Sequence, residues 1–146
     1  MRCCEKIVMK RRIEIFLALL AAANCTITPL MFAASLSQPM WPLPGLYFLE
    51  IALLGIAGAW IALAEQPTGP GWGLIPWIAA GVLSVFVVLG AFTIGLFLIP
   101  AALFFLVAGF LSRLRFHLPL STGLGVFLLS VIFQAALMIG ILSFAL

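Results

Sequence analysis

Glu50 is the one carboxylate within the apolar run Leu46 to Ala64, "LYFLEIALLGIAGAWIALA", which Glu65 closes. An acid in such a run can hold a proton, face a cation, or accept hydrogen bonds from another helix. Charge is costly in hydrocarbon, so an ionisable residue within a span is a functional candidate by default. Glu50 lies about four residues, roughly 6 Å at the α-helical rise, from the outer boundary of its run. From that depth it can reach water, so the plain reading is an interfacial glutamate. The sharper readings are proton or cation coupling and a polar contact to another subunit.

Two amides come next. Asn24 lies about 11 residues into the first apolar run and Gln134 about 13 residues into the last, each the most polar side chain near its centre. An unsatisfied amide in hydrocarbon costs several kcal/mol, so each requires a partner. Local carbonyls would serve. Because both runs are threaded in the same direction, the sharper expectation is that Asn24 and Gln134 pair and make the first and last helices parallel neighbours. A third pattern is steric. Ala52, Gly55, Ala59 and Ala62 recur at helical spacing, and small-xxx-small stripes of this kind let helix backbones approach closely. Internal packing is the plain reading of the stripe and a homodimer face the sharper one. Glu50 projects from the other side of the helix, near Leu54, Ala57 and Ile61.

Catalysis needs a constellation: a nucleophile with a base, paired carboxylates, or a metal cluster. The single histidine, His117, stands in a basic loop beside Arg115 and Phe116 with no carboxylate near it in sequence. Cys3, Cys4 and Cys25 do not have the number or spacing of a zinc site or a disulfide framework. The adjacent Cys3 and Cys4 admit acylation as a sharper alternative to structural thiols. The sequon Asn24-Cys25-Thr26 falls at the bilayer midplane, out of reach of glycosylation. No catalytic residue, metal or cofactor is expected.

The elements that carry these residues follow from composition. Of 146 residues, 66% are apolar and 8% charged, and there is no aspartate; soluble domains average about 25% charged. A chain this small could not bury so much apolar surface on itself. The expected fold is therefore an all-α integral membrane bundle. Spans need about 20 residues, which gives helices at about 13–35, 46–64, 74–90, 95–112 and 121–145 behind a short basic segment, 1–12. The run Leu74 to Leu111 is too long for one crossing, and its best hinge is Gly90 to Gly95, "GAFTIG".

The basic residues Arg2, Lys6, Lys10, Arg11 and Arg12 precede the first run, and Arg113 and Arg115 precede the last. By the positive-inside rule this puts the N-terminus in the cytoplasm and, after five crossings, the C-terminus outside. Trp41 and Tyr47 then belong to an outer aromatic belt and Trp72 and Trp77 to an inner one, with Trp60 assigned to packing. Pro29, Pro76 and Pro100 are expected to interrupt helix hydrogen bonding. A cleavable signal ending at Ala23 is the competing reading of the N-terminus; against it, the apolar run continues through "TITPLMFAAS" to a full span.

The expected function is that of a small polytopic protein of the cell membrane without catalytic machinery, an accessory or scaffold subunit of a membrane complex. The alternative is a small oligomeric transporter or channel that uses Glu50. Its partners are the lipid bilayer, other membrane subunits or its own copies, and not nucleic acid, which would need a basic face on a soluble surface.

Overall fold

The computed structural model describes residues 2–35, 43–63, 69–90 and 94–145, without the side chains of 2–10, 35, 43–44, 61–62, 70, 142 and 144–145. Trp41, Thr93 and Glu65 lie outside the described residues, and the side chains of Cys3, Cys4 and Ala62 lie outside those described. Five α-helices account for nearly all of the rest: α1 (Arg2–Ser35), α2 (Leu43–Leu63), α3 (Ile75–Leu89), α4 (Gly95–Phe116) and α5 (Leu120–Ala145), with a 3₁₀ turn at Pro70–Leu74 leading into α3. The described residues include no strand. Four segments are long and apolar enough to cross a membrane: Arg11–Ala34, Gly71–Leu89, Gly95–Phe116 and Leu120–Ile141. In α2 the corresponding apolar stretch, Gly45–Trp60, is shorter.

Helix ends follow local chemistry. α1 does not begin where hydrophobicity begins; the basic segment is helical from Arg2, so α1 runs 34 residues, about 51 Å at the α-helical rise. Pro70 and Pro76 occupy first-turn positions of the 3₁₀ turn and of α3, where a missing N–H removes nothing. Pro29 and Pro100, by contrast, lie inside α1 and α4, where each deletes a backbone donor. α4 ends on His117, whose φ of 53° is left-handed, a region in which histidine is enriched among non-glycine residues. The Leu118 N–H reaches back to the Arg113 carbonyl at 3.2 Å and closes the turn.

The long apolar run breaks at the expected hinge. The Gly95 N–H donates to the Gly90 carbonyl, and a Cβ on Gly95 would lie 2.5 Å from the Gly90 carbonyl carbon and the Val87 oxygen. Only glycine permits that approach. The turn lays α3 back on α4 as a tight hairpin.

The packing order around the bundle is not the chain order. α1 packs on α2 and α4, α3 packs on α4 and α5, and α2 touches α3 more lightly. The helices therefore run around an arc as α2, α1, α4, α3, α5. Neighbours along the arc run antiparallel except α3 and α5, which are parallel: Trp77 meets Gly123 near the start of both helices, and Gly81 meets Phe127 and Ser130 further along both. Glu14 near the start of α1 meets Arg115 at the end of α4, whereas Phe32 late in α1 stacks edge-on against Phe97 at the start of α4. Ala21, Cys25, Ile51, Leu83, Phe86, Leu98, Ala101 and Phe105 form the centre of the core.

Two tryptophan assignments change. Trp77 is not a belt residue: it is 1% exposed, its indole N–H donates to the Gly109 carbonyl at 3.2 Å, and its ring fills the space a Cβ would need at Gly109 and Gly123. It thereby joins α3, α4 and α5. Trp60, assigned above to packing, is instead 76% exposed.

Candidate functional site

Several polar side chains of the bundle interior form bonds between helices. Glu50, eighth in α2, points toward the open seam between α2 and α5, the two ends of the arc. There Gln134 Nε2 donates to Glu50 Oε1 at 2.7 Å. Gln134 is 3% exposed and Glu50 is half-buried. The backbones of α2 and α5 hardly approach each other, so two long side chains span the seam and close the arc into a ring. One turn along α2, the Tyr47 hydroxyl donates to the Phe86 carbonyl of α3 at 3.0 Å, and the two rings meet edge-on. Together these contacts hold the first half of α2 to α3 and α5.

The arrangement suits α2. Gly55 and Ile51 are buried on its inward side, and a Cβ on Gly55 would lie 2.8 Å from Cys25 Cβ and 3.1 Å from the Ala22 carbonyl oxygen of α1. This contact sets the close α1–α2 approach. Ala52 and Ala59 are half-buried. Beside them, Gly58 receives the Phe105 ring of α4 where its own Cβ would stand.

The expected Asn24–Gln134 pair does not form. Gln134 bonds Glu50 instead, and α1 and α5 are separated in the packing order. Asn24 Oδ1 is buried and has no hydrogen-bond partner among the described residues. Near it, Thr26 Oγ1 donates to the Ala22 and Ala23 carbonyls of its own helix. Azimuth around the bundle was not legible in the sequence.

A second polar group lies at the basic end of the bundle, and sequence reading passed over it. Glu14, close to Arg11 and Arg12 in sequence, accepts a hydrogen bond from Ser112 Oγ of α4, and its other oxygen lies 3.4 Å from Arg115 Nη1. The Arg115 guanidinium lies over the Phe116 ring, 4.5 Å from its centroid. The signal available in sequence was the i, i+3 spacing of Ser112 and Arg115, which places both on one face of α4. His117 is exposed and closes α4, with no ion pair to a carboxylate among the described residues. Cys25 is a buried free thiol in the α1–α2 contact. Among the described residues no group of three or more His, Cys, Asp or Glu side chains converges to hold a metal ion.

No known protein family matches the chain, and neither a curated protein nor a solved structure matches it at a significant level.

Proposed function

We propose that this chain is a five-span integral protein of the cell membrane, with its N-terminus in the cytoplasm and its C-terminus outside, that acts without catalysis as an accessory or scaffold subunit of a membrane complex. The observation that carries the reading is the Glu50–Gln134 bond. The carboxylate with the strongest claim to intramembrane chemistry is engaged in joining α2 to α5, as Tyr47 joins α2 to α3. Polar side chains placed this way hold a shape. α5 presents most of its length outward, with only Gly123 and Gln134 buried among its described residues, which leaves a broad apolar face for lipid or a neighbouring subunit. Sidedness rests on the basic residues at one end of the bundle and the positive-inside rule.

Extraction from native membranes in a mild detergent, followed by native mass spectrometry, tests this role. A membrane protein of different sequence in constant stoichiometry is the expected result. A chain isolated without such a partner that drives proton-coupled solute flux in vesicles, with the flux abolished by Glu50→Gln, would replace the scaffold reading. The transporter reading, which draws on the half-exposed position of Glu50, would then take its place.

A further inference from the structure

Every lysine and arginine of the chain lies before residue 13 or at position 113 or 115, and the one histidine is His117. The Glu14–Arg115 contact gathers these positions at one end of the bundle. Glu50 belongs to the other end. Antiparallel packing sets Gly55 against Ala22 and Cys25, so Glu50 lies further along α1, toward the Phe32–Phe97 contact. No cation of this chain stands near it. Glu50 Oε1 takes the Gln134 amide. Oε2 has no hydrogen bond or ion pair among the described residues, and it is not one of the enclosed atoms that lack a partner. That oxygen is therefore accessible.

Glu50 is also the one polar position in an outward stripe of α2 along the rim of the seam. Leu46, Leu53, Ala57 and Trp60 recur with it at three- and four-residue spacing, which places them on one helix face, and all four are exposed. The apolar stretch of α2, Gly45–Trp60, is only about 24 Å long at the α-helical rise, against about 30 Å of hydrocarbon. Joining other helices is one way in which a helix short for the bilayer is accommodated.

We propose that this stripe docks a transmembrane helix of the partner subunit, and that the helix carries a lysine whose ammonium donates to Glu50 Oε2. Charge complementarity selects the occupant. Acids within spans pair with opposite charges, and this chain supplies none at that depth. A second copy in the same orientation brings its cations to the opposite end. One free oxygen suits the point charge of an ammonium, whereas the guanidinium fork engages two. The proposal rests on the accessory role and names the chemistry of the partner.

The test reconstitutes the purified full chain in phosphatidylcholine vesicles at neutral pH with labelled leucine–alanine transmembrane peptides, and reads association by energy transfer. The peptides differ at one position, lysine, glutamine or leucine, placed about 10 Å below one end of the span, the depth of Glu50 below the start of α2. The lysine peptide is expected to bind about tenfold more tightly than the other two, the factor of one hydrogen bond between charged groups. Glu50→Gln, which keeps a carbonyl for Gln134 Nε2, is expected to abolish that advantage. Equal binding of the lysine and leucine peptides would overturn the proposal, as would an undiminished advantage in Glu50→Gln. Glutamine binding as tightly as lysine would overturn the ionic pairing. A native partner whose spans contain no lysine would overturn this interface and leave the accessory role standing.

Discussion

Replacing Gln134 by Leu removes the donor that holds Glu50 and keeps the helix and most of the side-chain volume. The loss has two parts. The bond itself joins two helices, and polar contacts between helices of membrane proteins average about 0.6 kcal/mol and reach about 1.7. Glu50 is also left half-buried without its partner, and an orphaned polar group adds about 1–3 kcal/mol when fully enclosed; half-burial puts the sum near 1–2 kcal/mol. Glu50→Leu should cost less, because it strands only a neutral amide and fills the seam with apolar surface. Glu50→Gln should cost least, since its carbonyl can still accept from Gln134 Nε2. The decisive quantity is the coupling in the Glu50→Leu/Gln134→Leu cycle, expected at about 0.6–1.7 kcal/mol. It is measurable by reversible unfolding in mixed micelles of detergent and dodecyl sulfate. Additive effects, with coupling below about 0.3 kcal/mol, would show that the α2–α5 seam does not depend on this bond.

Gly55→Ala places a methyl 2.8 Å from Cys25 Cβ and should destabilise by about 1–3 kcal/mol through overpacking, whereas Gly125→Ala, with open space around it, should be neutral or stabilising by up to about 1 kcal/mol; the same unfolding assay compares them. Gly95→Ala should disrupt the α3–α4 hairpin, seen as loss of monodisperse protein in size-exclusion chromatography. Trp77→Phe removes the bond to the Gly109 carbonyl and should cost about 1 kcal/mol or more, while Trp60→Phe should fall within about 0.5 kcal/mol of wild type. Reporter fusions after Leu146 and within Glu65 to Gly73 should report opposite sides of the membrane; the same side for both would reject five spans.

The helices were legible because length and apolarity suffice to define them. The break at Gly90 to Gly95 was legible because paired glycines in an unbroken apolar run have few other uses. Boundaries drifted where hydrophobicity stops but helix propensity continues: α1 begins at Arg2 rather than near residue 13, and α4 continues through Arg113 and Arg115 to Phe116. Glu50 and Gln134 were each singled out from sequence, but not as partners. Hydropathy gives the depth of a residue and carries no information on which helix stands beside which. The same limit hid the contact between Glu14 and Arg115, 101 positions apart in the chain. The tryptophans failed for a related reason, since an indole near a span end fits a belt equally well whether it faces lipid or the seat formed by Gly109 and Gly123.

The packing order also bears on how the chain is made. α1 and α2 leave the ribosome together and can pair at once through Gly55 and Cys25. The second neighbour of α1 is α4, which follows only after α3 and the glycine turn. Until then the α1 surface that meets Ser112 and Phe97 must be covered by lipid or by the insertion machinery. α5 arrives last, docks on α3, and meets α2 through the Gln134 amide. A nascent chain stalled before α5 therefore already holds four mutually packed helices but leaves Glu50 without its partner.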